Sequence, residues 1–493
     1  MKLFTIGDSI SQGFMSLAAA RTELSYSTLV AKVLGLRPEV DYPIPTWHKG
    51  GLPLNIEKLL RKLERRYGAN IRGPIEWPLA LLTIEDMLDD VEDHYERGSG
   101  NIAMPQAGPT EFFPNVSARG FTVGDAWMVT PDWCVDQIVS DRDIDDNSLG
   151  LPNKSFARTA HAVLNPSRAK VHGGKSQVGW LEHHARHEGV ENVALWLGSN
   201  NALGTVLDLK IKCTDQSPVP PLDLSVEDRD DYNLWTHEHF AAEYELLLDK
   251  VLAALRHNKA KDWRIFVATV PAVSIAPLAK GVGTWEGRED PFGVLPGTSA
   301  QYAELYTYVL FDESFARRTG RRLIRDEVYR IDKTIAAYNR DIRSLVEAAN
   351  GRLDRPRLHI VDINDALLRA AFKRNGGNPS YPFPAELRAG NEDGGVPLVN
   401  TVYYHVDRKG TRLNGGLFSL DGVHPSAIGH GLLALEFLKV MQAAKVPHAD
   451  PDKLDWTAIN ASDTLFSHPI KLMPELYDNT RLAEWLVERF AGV

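Results

Sequence analysis

Short apolar runs recur along the chain, and each stops abruptly at a polar turn. The first is Leu3 to Ile6, halted at Gly7. The others are Val193 to Leu197, halted at Gly198 with Ser199, Asn200 and Asn201 behind it, then RIFVATVP from Arg264 to Pro271, then RLHIVDI from Arg357 to Ile363. Between them lie stretches with apolar residues at helical spacing: SYSTLVAKVLGL up to a stop at Gly35, NIEKLLRKLERRY from Asn55, ALLTIEDMLDDVEDHYER from 80 to 97, Lys175 to Gly189, and IDKTIAAYNRDIRSLVEAAN. A last one begins DGVHPSAIGHGLLALEFLKVMQAA at Asp421. Apolar runs alternating with amphipathic helices predict a parallel sheet with helices on both faces, and ligands bind beyond the carboxyl ends of such strands.

That rim also carries the long irregular segments: about 202–235, 272–330 and 364–420. Loops of this length read as lids or binding loops. They are rich in aromatics, namely Trp285, Tyr302, Tyr306, Phe311, Tyr381, Phe383, Tyr403 and Tyr404, which predicts a covered, partly apolar pocket or, equally, cores internal to the insertions. Residues 41–53 read as loop, PNVSARGFTVGDAW as a polar turn opening a helix through Ile138, and the tail 450–493 as loop plus one helix without an assigned role.

Composition narrows the class. Of 493 residues 43% are hydrophobic and 24% charged, ordinary for a globular protein. Acids outnumber Lys and Arg by 65 to 55, so the basic footprint of a nucleic-acid binder is missing. Two cysteines in so long a chain point to a reduced compartment. The start, MKLFTIGDS, lacks the apolar core of a signal peptide, and no stretch reaches membrane-span length. The expectation is a soluble, cytoplasmic protein. The basic residues of the 55–67 helix are interleaved with Glu57 and Glu64, which reads as a solvated face rather than an anion-binding one. Asp141 to Asn147 has the alternating acids of a calcium loop without its glycine at position six or its closing glutamate. His183, His184 and His187 lack a further ligand at zinc spacing.

The polar turns hold complementary chemistry. Ser9 could attack a carbonyl, with His424 as general base and Asp421, three residues earlier, orienting the imidazole. The oxyanion would meet the backbone N–H of Ser9, a backbone N–H at Gly120 and the amide of Asn200. Taken singly, Ser9 reads as a helix N-cap, Gly120 and Asn200 as turn residues, and His424 as a helix-start residue. Asp8 reads as structural, and Asp362 and Asp365 are rivals for orienting His424.

Together, GDSI at Gly7, NVSARG at Asn115, GSNN at Gly198 and DGVHP at Asp421 resemble the four blocks of the SGNH hydrolases, the GDSL-type esterases and lipases. TVP at Thr269 to Pro271 and Tyr338–Asn339 are weaker matches. Two departures stand out: Ile10 where the family commonly has Leu, and Asn201 where it commonly has Asp, so a neutral amide must hold what the acid usually anchors. The resemblance implies a three-layer α/β/α, flavodoxin-like hydrolase domain over 1–493, the three segments being lid-like insertions. It implies cleavage of a small-molecule carboxylic ester through an acyl-enzyme on Ser9, without metal or cofactor, and the aromatic insertions favour a lipid-like or aryl ester. A carbohydrate acetylesterase or an acyltransferase would use the same site. A non-catalytic binding protein on this scaffold is the alternative of another class.

Overall fold

The computed structural model describes residues 1–102, 110–140, 151–283, 302–389 and 395–478. Trp285 and the Asp141–Asn147 run lie outside these residues. Four parallel strands, β1 (Phe4–Gly7), β2 (Asn192–Trp196), β3 (Arg264–Ala268) and β4 (Leu358–Val361), form the central sheet in the order β1-β2-β3-β4. Every residue of β2 is buried, which is why its sequence is an apolar run rather than an alternation.

A fifth segment completes the sheet. Residues 114–118, read from sequence as a polar turn, run parallel to β1 on its free side. Thr5 N donates to Pro114 O (2.9 Å), Val116 N to Thr5 O (3.1 Å) and Ala118 N to Gly7 O (3.3 Å). Asn115 is satisfied inside the protein: its Nδ2 donates to Ser11 O at 2.8 Å and its Oδ1 accepts from Ser117 N at 3.1 Å. Buried partners, not apolar character, let this stretch lie at a sheet edge. In chain order the five segments run 2-1-3-4-5, the flavodoxin-like order, with its switch point at the carboxyl end of β1.

The helices that bear on the site are α1 (Ser9–Gln12), α2 (Tyr26–Val33), α3 (Gln177–His187), α4 (Asn200–Asp208), α5 (His237–Ala254), α6 (Arg325–Gly351), α7 (Ile363–Ala370) and α8 (Ala427–Ala443). Alternate strand residues sort them into two layers. Phe4, Ile6, Val193, Leu195, Ile265 and Val267 share one core with α3, α5 and α6. Ala194, Trp196, Phe266, Ala268 and Val361 share another with α2, α7 and α8. Period-two strands between two helical layers give the three-layer α/β/α architecture.

The three insertions are less irregular than the sequence implies. The first opens with α4. The second holds an antiparallel sheet of Ala279–Val282, Leu305–Tyr308 and Leu323–Ile324. The third opens with α7 and carries two short hairpins, Arg388–Ala389 with Val396–Pro397 and His405–Val406 with Arg412–Asn414. Two- to four-residue strands are too short to leave a periodic signature. No helix among the described residues is long and apolar enough to cross a membrane.

Candidate active site

β1 ends at Gly7, and the chain turns at once into the single helical turn α1. Asp8 is the N-cap: its Oδ1 accepts from Ile10 N at 3.0 Å. Gly13, in the left-handed region, closes the turn. Since Asp8 does the capping, the hydroxyl of Ser9 is left for another partner. That partner is His424, whose Nε2 lies 2.9 Å from Ser9 Oγ.

His424 Nδ1 lies 3.0 Å from Asp421 Oδ2, so the acid three residues back fixes the ring. The same carboxylate accepts from three backbone donors: Leu17 N (3.0 Å) on Oδ2, and Val423 N (2.9 Å) and His424 N (2.8 Å) on Oδ1. Burial alone would raise its pKa, but the imidazole and these N–H donors outweigh burial and hold Asp421 below the usual carboxylate value. With Nδ1–H directed at a carboxylate, Nε2 is the free lone pair facing the serine. Phe14 packs on the ring, centroids 4.7 Å apart. Within the turn Gly422 has φ +68°, and a Cβ there would meet Leu278 N at 2.9 Å, where Leu278 N donates to Gly422 O. Glycine therefore lets the second insertion dock directly between Asp421 and His424.

Gly120 and Asn200 line the same cavity as Ser9 and His424. Among the described residues the N–H groups of Ser9 and Gly120 donate to no protein acceptor. Gly120 takes φ +79°, which an L side chain rarely adopts. Asn200 Nδ2 gives one hydrogen to Phe121 O at 2.9 Å, which ties α4 to the Gly120 turn and leaves its second N–H. Asn201 uses its amide oxygen as the carboxylate of an Asp would be used, accepting from Val123 N at 3.1 Å. The neutral amide thus anchors the Gly120 loop to α4. The TVP and Tyr338–Asn339 matches meet each other: Asn339 pairs through both amide atoms with Val270, at 2.7 and 2.8 Å.

The rival groups are occupied elsewhere. Asp362 accepts from Thr269 Oγ1 and pairs with Arg343, and Asp365 pairs with Arg369. Asp8 is buried beside Ser9, and burial pushes its carboxyl up to about 6, partly offset by the Ile10 N–H and by His424. His183 and His187 are neighbours on one helix face, but His184 is buried against Trp180 with Nδ1 at Glu188. Arg61 in the basic helix is not merely solvated: it donates to Thr464 O and His468 O.

A cavity of about 420 Å³ opens over Ser9. Its walls come from places the sequence did not mark: Phe14, Leu17, Ile56 and Leu60 near the N-terminus, and Met473 and Leu476 in the tail that had no role. The insertions contribute Leu203, Leu207, Leu278, Leu310 and Leu420. Of the aromatics that sequence placed on the rim, Tyr403 lines this cavity. Tyr306, Phe311, Tyr381, Phe383 and Tyr404 are instead buried in cores. Aliphatic side chains, whose spacing is that of any packed residue, form most of the wall, with Phe14, Tyr308, Tyr403, Arg119 and Asp208 among them. A scan against protein-family models, a search of curated proteins and a search of solved structures each returned no match.

Proposed function

We propose that this protein is a serine hydrolase of the SGNH type that cleaves small-molecule carboxylic esters through an acyl-enzyme on Ser9. The observation carrying this reading is the line Asp421–His424–Ser9, hydrogen-bonded at 3.0 and 2.9 Å and ending in a hydroxyl at the floor of an apolar cavity. His424 takes the proton of Ser9 as Oγ attacks the ester carbonyl, and Asp421 stabilises the imidazolium that forms. The developing oxyanion is met by the N–H groups of Ser9 and Gly120 and the second amide N–H of Asn200. His424 then gives its proton to the departing alcohol, and water, activated by the same ring, releases the acid. The wall favours a lipid-like ester over a sugar: its two tyrosine hydroxyls are committed to backbone carbonyls, Tyr308 to Leu207 O and Tyr403 to Leu420 O, each at 2.6 Å. Two buried free cysteines, Cys134 and Cys213, support a reducing, cytoplasmic setting.

Labelling with a fluorophosphonate tests the reading. The expected result is a single adduct on Ser9 that is lost in Ser9→Ala. Folded protein that takes up no label, with Ser9→Ala binding ligands like the parent, would instead mark a binding module.

A further inference from the structure

The space around Ser9 has two arms of very different size. The large one, about 420 Å³, contains Gly120 and Asn200. A second pocket of about 60 Å³ also touches Ser9 and His424, and its wall is apolar: Trp196, Val273, Ile275, Phe418, Leu432 and Leu433. Four residues border both, Ser9, Leu203, Val423 and His424, so the arms meet at the nucleophile with Leu203 and Val423 between them.

The arms differ in their outlet as well. The large one reaches the exposed residues Gly120, Leu207 and Asp208, whereas around the small one only Ile10, Leu367 and Val423 are more than marginally accessible. During acyl transfer the alcohol must leave while the acyl group is still bonded to Ser9. A leaving group seated in the small arm would have to squeeze out past the half-buried Ile10 and Leu367 or pass the acyl-enzyme, whereas the large arm gives a wider way out. The alcohol therefore belongs in the large arm and the acyl group in the small one. An apolar cavity of about 150 Å³ holds a benzene ring, so the small arm takes an acyl group of only roughly two to four carbons.

We infer that the site is built for esters of a short acid with a long aliphatic alcohol, a reading that rests on the hydrolase assignment above. For octyl acetate, Ser9 Oγ bonds to the acetyl carbon and the bond from that carbon to the octyl oxygen breaks. The serine proton passes through His424 Nε2 to octanol, and water then converts acetyl-Ser9 to acetate and free serine.

Octyl acetate and ethyl octanoate are isomers, with the same atoms and the long chain on opposite sides of the ester. The expected result is a kcat/KM at least tenfold higher for octyl acetate, rising about fourfold per methylene from ethyl to octyl acetate. Val273→Phe, which narrows the small arm, should lower the butanoate-to-acetate ratio of octyl esters at least tenfold. Leu310→Trp should lower the octyl-to-ethyl ratio of acetates by a similar factor. Thermal melting identifies any variant that fails to fold, and the isomer pair on the unaltered protein decides without them. Equal rates, or preference for ethyl octanoate, in protein whose Ser9 takes up fluorophosphonate would overturn this inference and leave the hydrolase reading standing. Absence of labelling and of turnover would overturn both.

Discussion

Two buried polar networks lie within the same rim. In one, Asp421 holds His424, and His424 meets Ser9, whose hydroxyl faces a cavity. In the other, the ammonium of Lys373 donates to three carbonyls of the second insertion: Ser274 O at 3.2 Å, Ala276 O at 2.6 Å and Ala279 O at 2.5 Å. Beside it, Arg374 pairs with Asp332 at 3.0 Å and donates to Ser274 Oγ at 2.6 Å. The Lys373 ammonium has its three donors met by three protein acceptors. Burial pushes it well below the ordinary lysine range, while the three carbonyls favour the charged form, which alone can donate to all of them. The Ser9 network is closed at the Asp421 end and open at the other, where two backbone N–H groups also lack acceptors among the described residues. A finished network rigidifies a fold, while an unfinished one next to a cavity has room for a reacting ligand.

The contrast breaks most sharply at Ser9. Ser9→Ala should lower ester turnover by at least about 10⁴-fold, with a melting temperature close to the parent's. Residual turnover above that, measured on protein free of contaminating esterase, would move the chemistry elsewhere. Asp421→Asn should cost roughly 10³- to 10⁴-fold in kcat with a small change in KM, because the neutral side chain no longer fixes the ring or balances the imidazolium. Asn200→Ala tests the open end. It should cost about 10²- to 10³-fold in kcat, and a change confined to KM would assign Asn200 to ground-state binding instead.

The closed network should respond in the opposite sense. Lys373→Met removes a donor from each of three buried carbonyls, of which Ala276 O keeps the Ala279 N–H at 3.3 Å, and should cost about 2–4 kcal/mol in urea unfolding, while each folded molecule still takes up fluorophosphonate within about threefold of the parent rate. The smallest expected effect lies beside the open network, at Asp8. Its folded pKa, about 6, stands above the unfolded 3.8, so the carboxyl destabilises the fold progressively as pH rises from about 4 to 6 and by a constant amount above. Asp8→Asn keeps the cap without the charge. Relative to the parent it should gain about 2–3 kcal/mol between pH 4 and pH 8, from 1.36 kcal/mol per pKa unit. A pH-independent difference would show that Asp8 ionises normally.

Much of the scaffold is legible in the chain because fully buried strands must be apolar and must stop where polar groups return to the rim. Ser9 and Asn200 announce themselves at such stops, the Asp421–His424 turn announces itself ahead of the last core helix, and spacing alone brings Asp421 within reach of His424. Residues 114–118 did not announce a strand, since Asn115 finds a buried partner, Ser11 O, that only the folded chain supplies. Nothing in the sequence around Lys373 signals that its ammonium is buried among carbonyls. The rim aromatics left pocket wall and core equally open, and the fold divides them, Tyr403 at the cavity and Tyr306, Phe311, Tyr381, Phe383 and Tyr404 in cores, because a side chain's composition does not say which it faces.

The sequence by itself determined the alternation of strand and helix, the places where the strands end, and the residues that stand at those ends, since burial and backbone conformation act locally on residue type. Only the tertiary structure decided that Asp8 rather than Ser9 caps the first turn, that Asn201 anchors the Gly120 loop through its amide oxygen, and that the N-terminal helix, three insertions and the C-terminal tail converge on two unequal arms above Ser9. Cavities are the space between segments distant in the chain, and their size and outlet depend on how those segments pack.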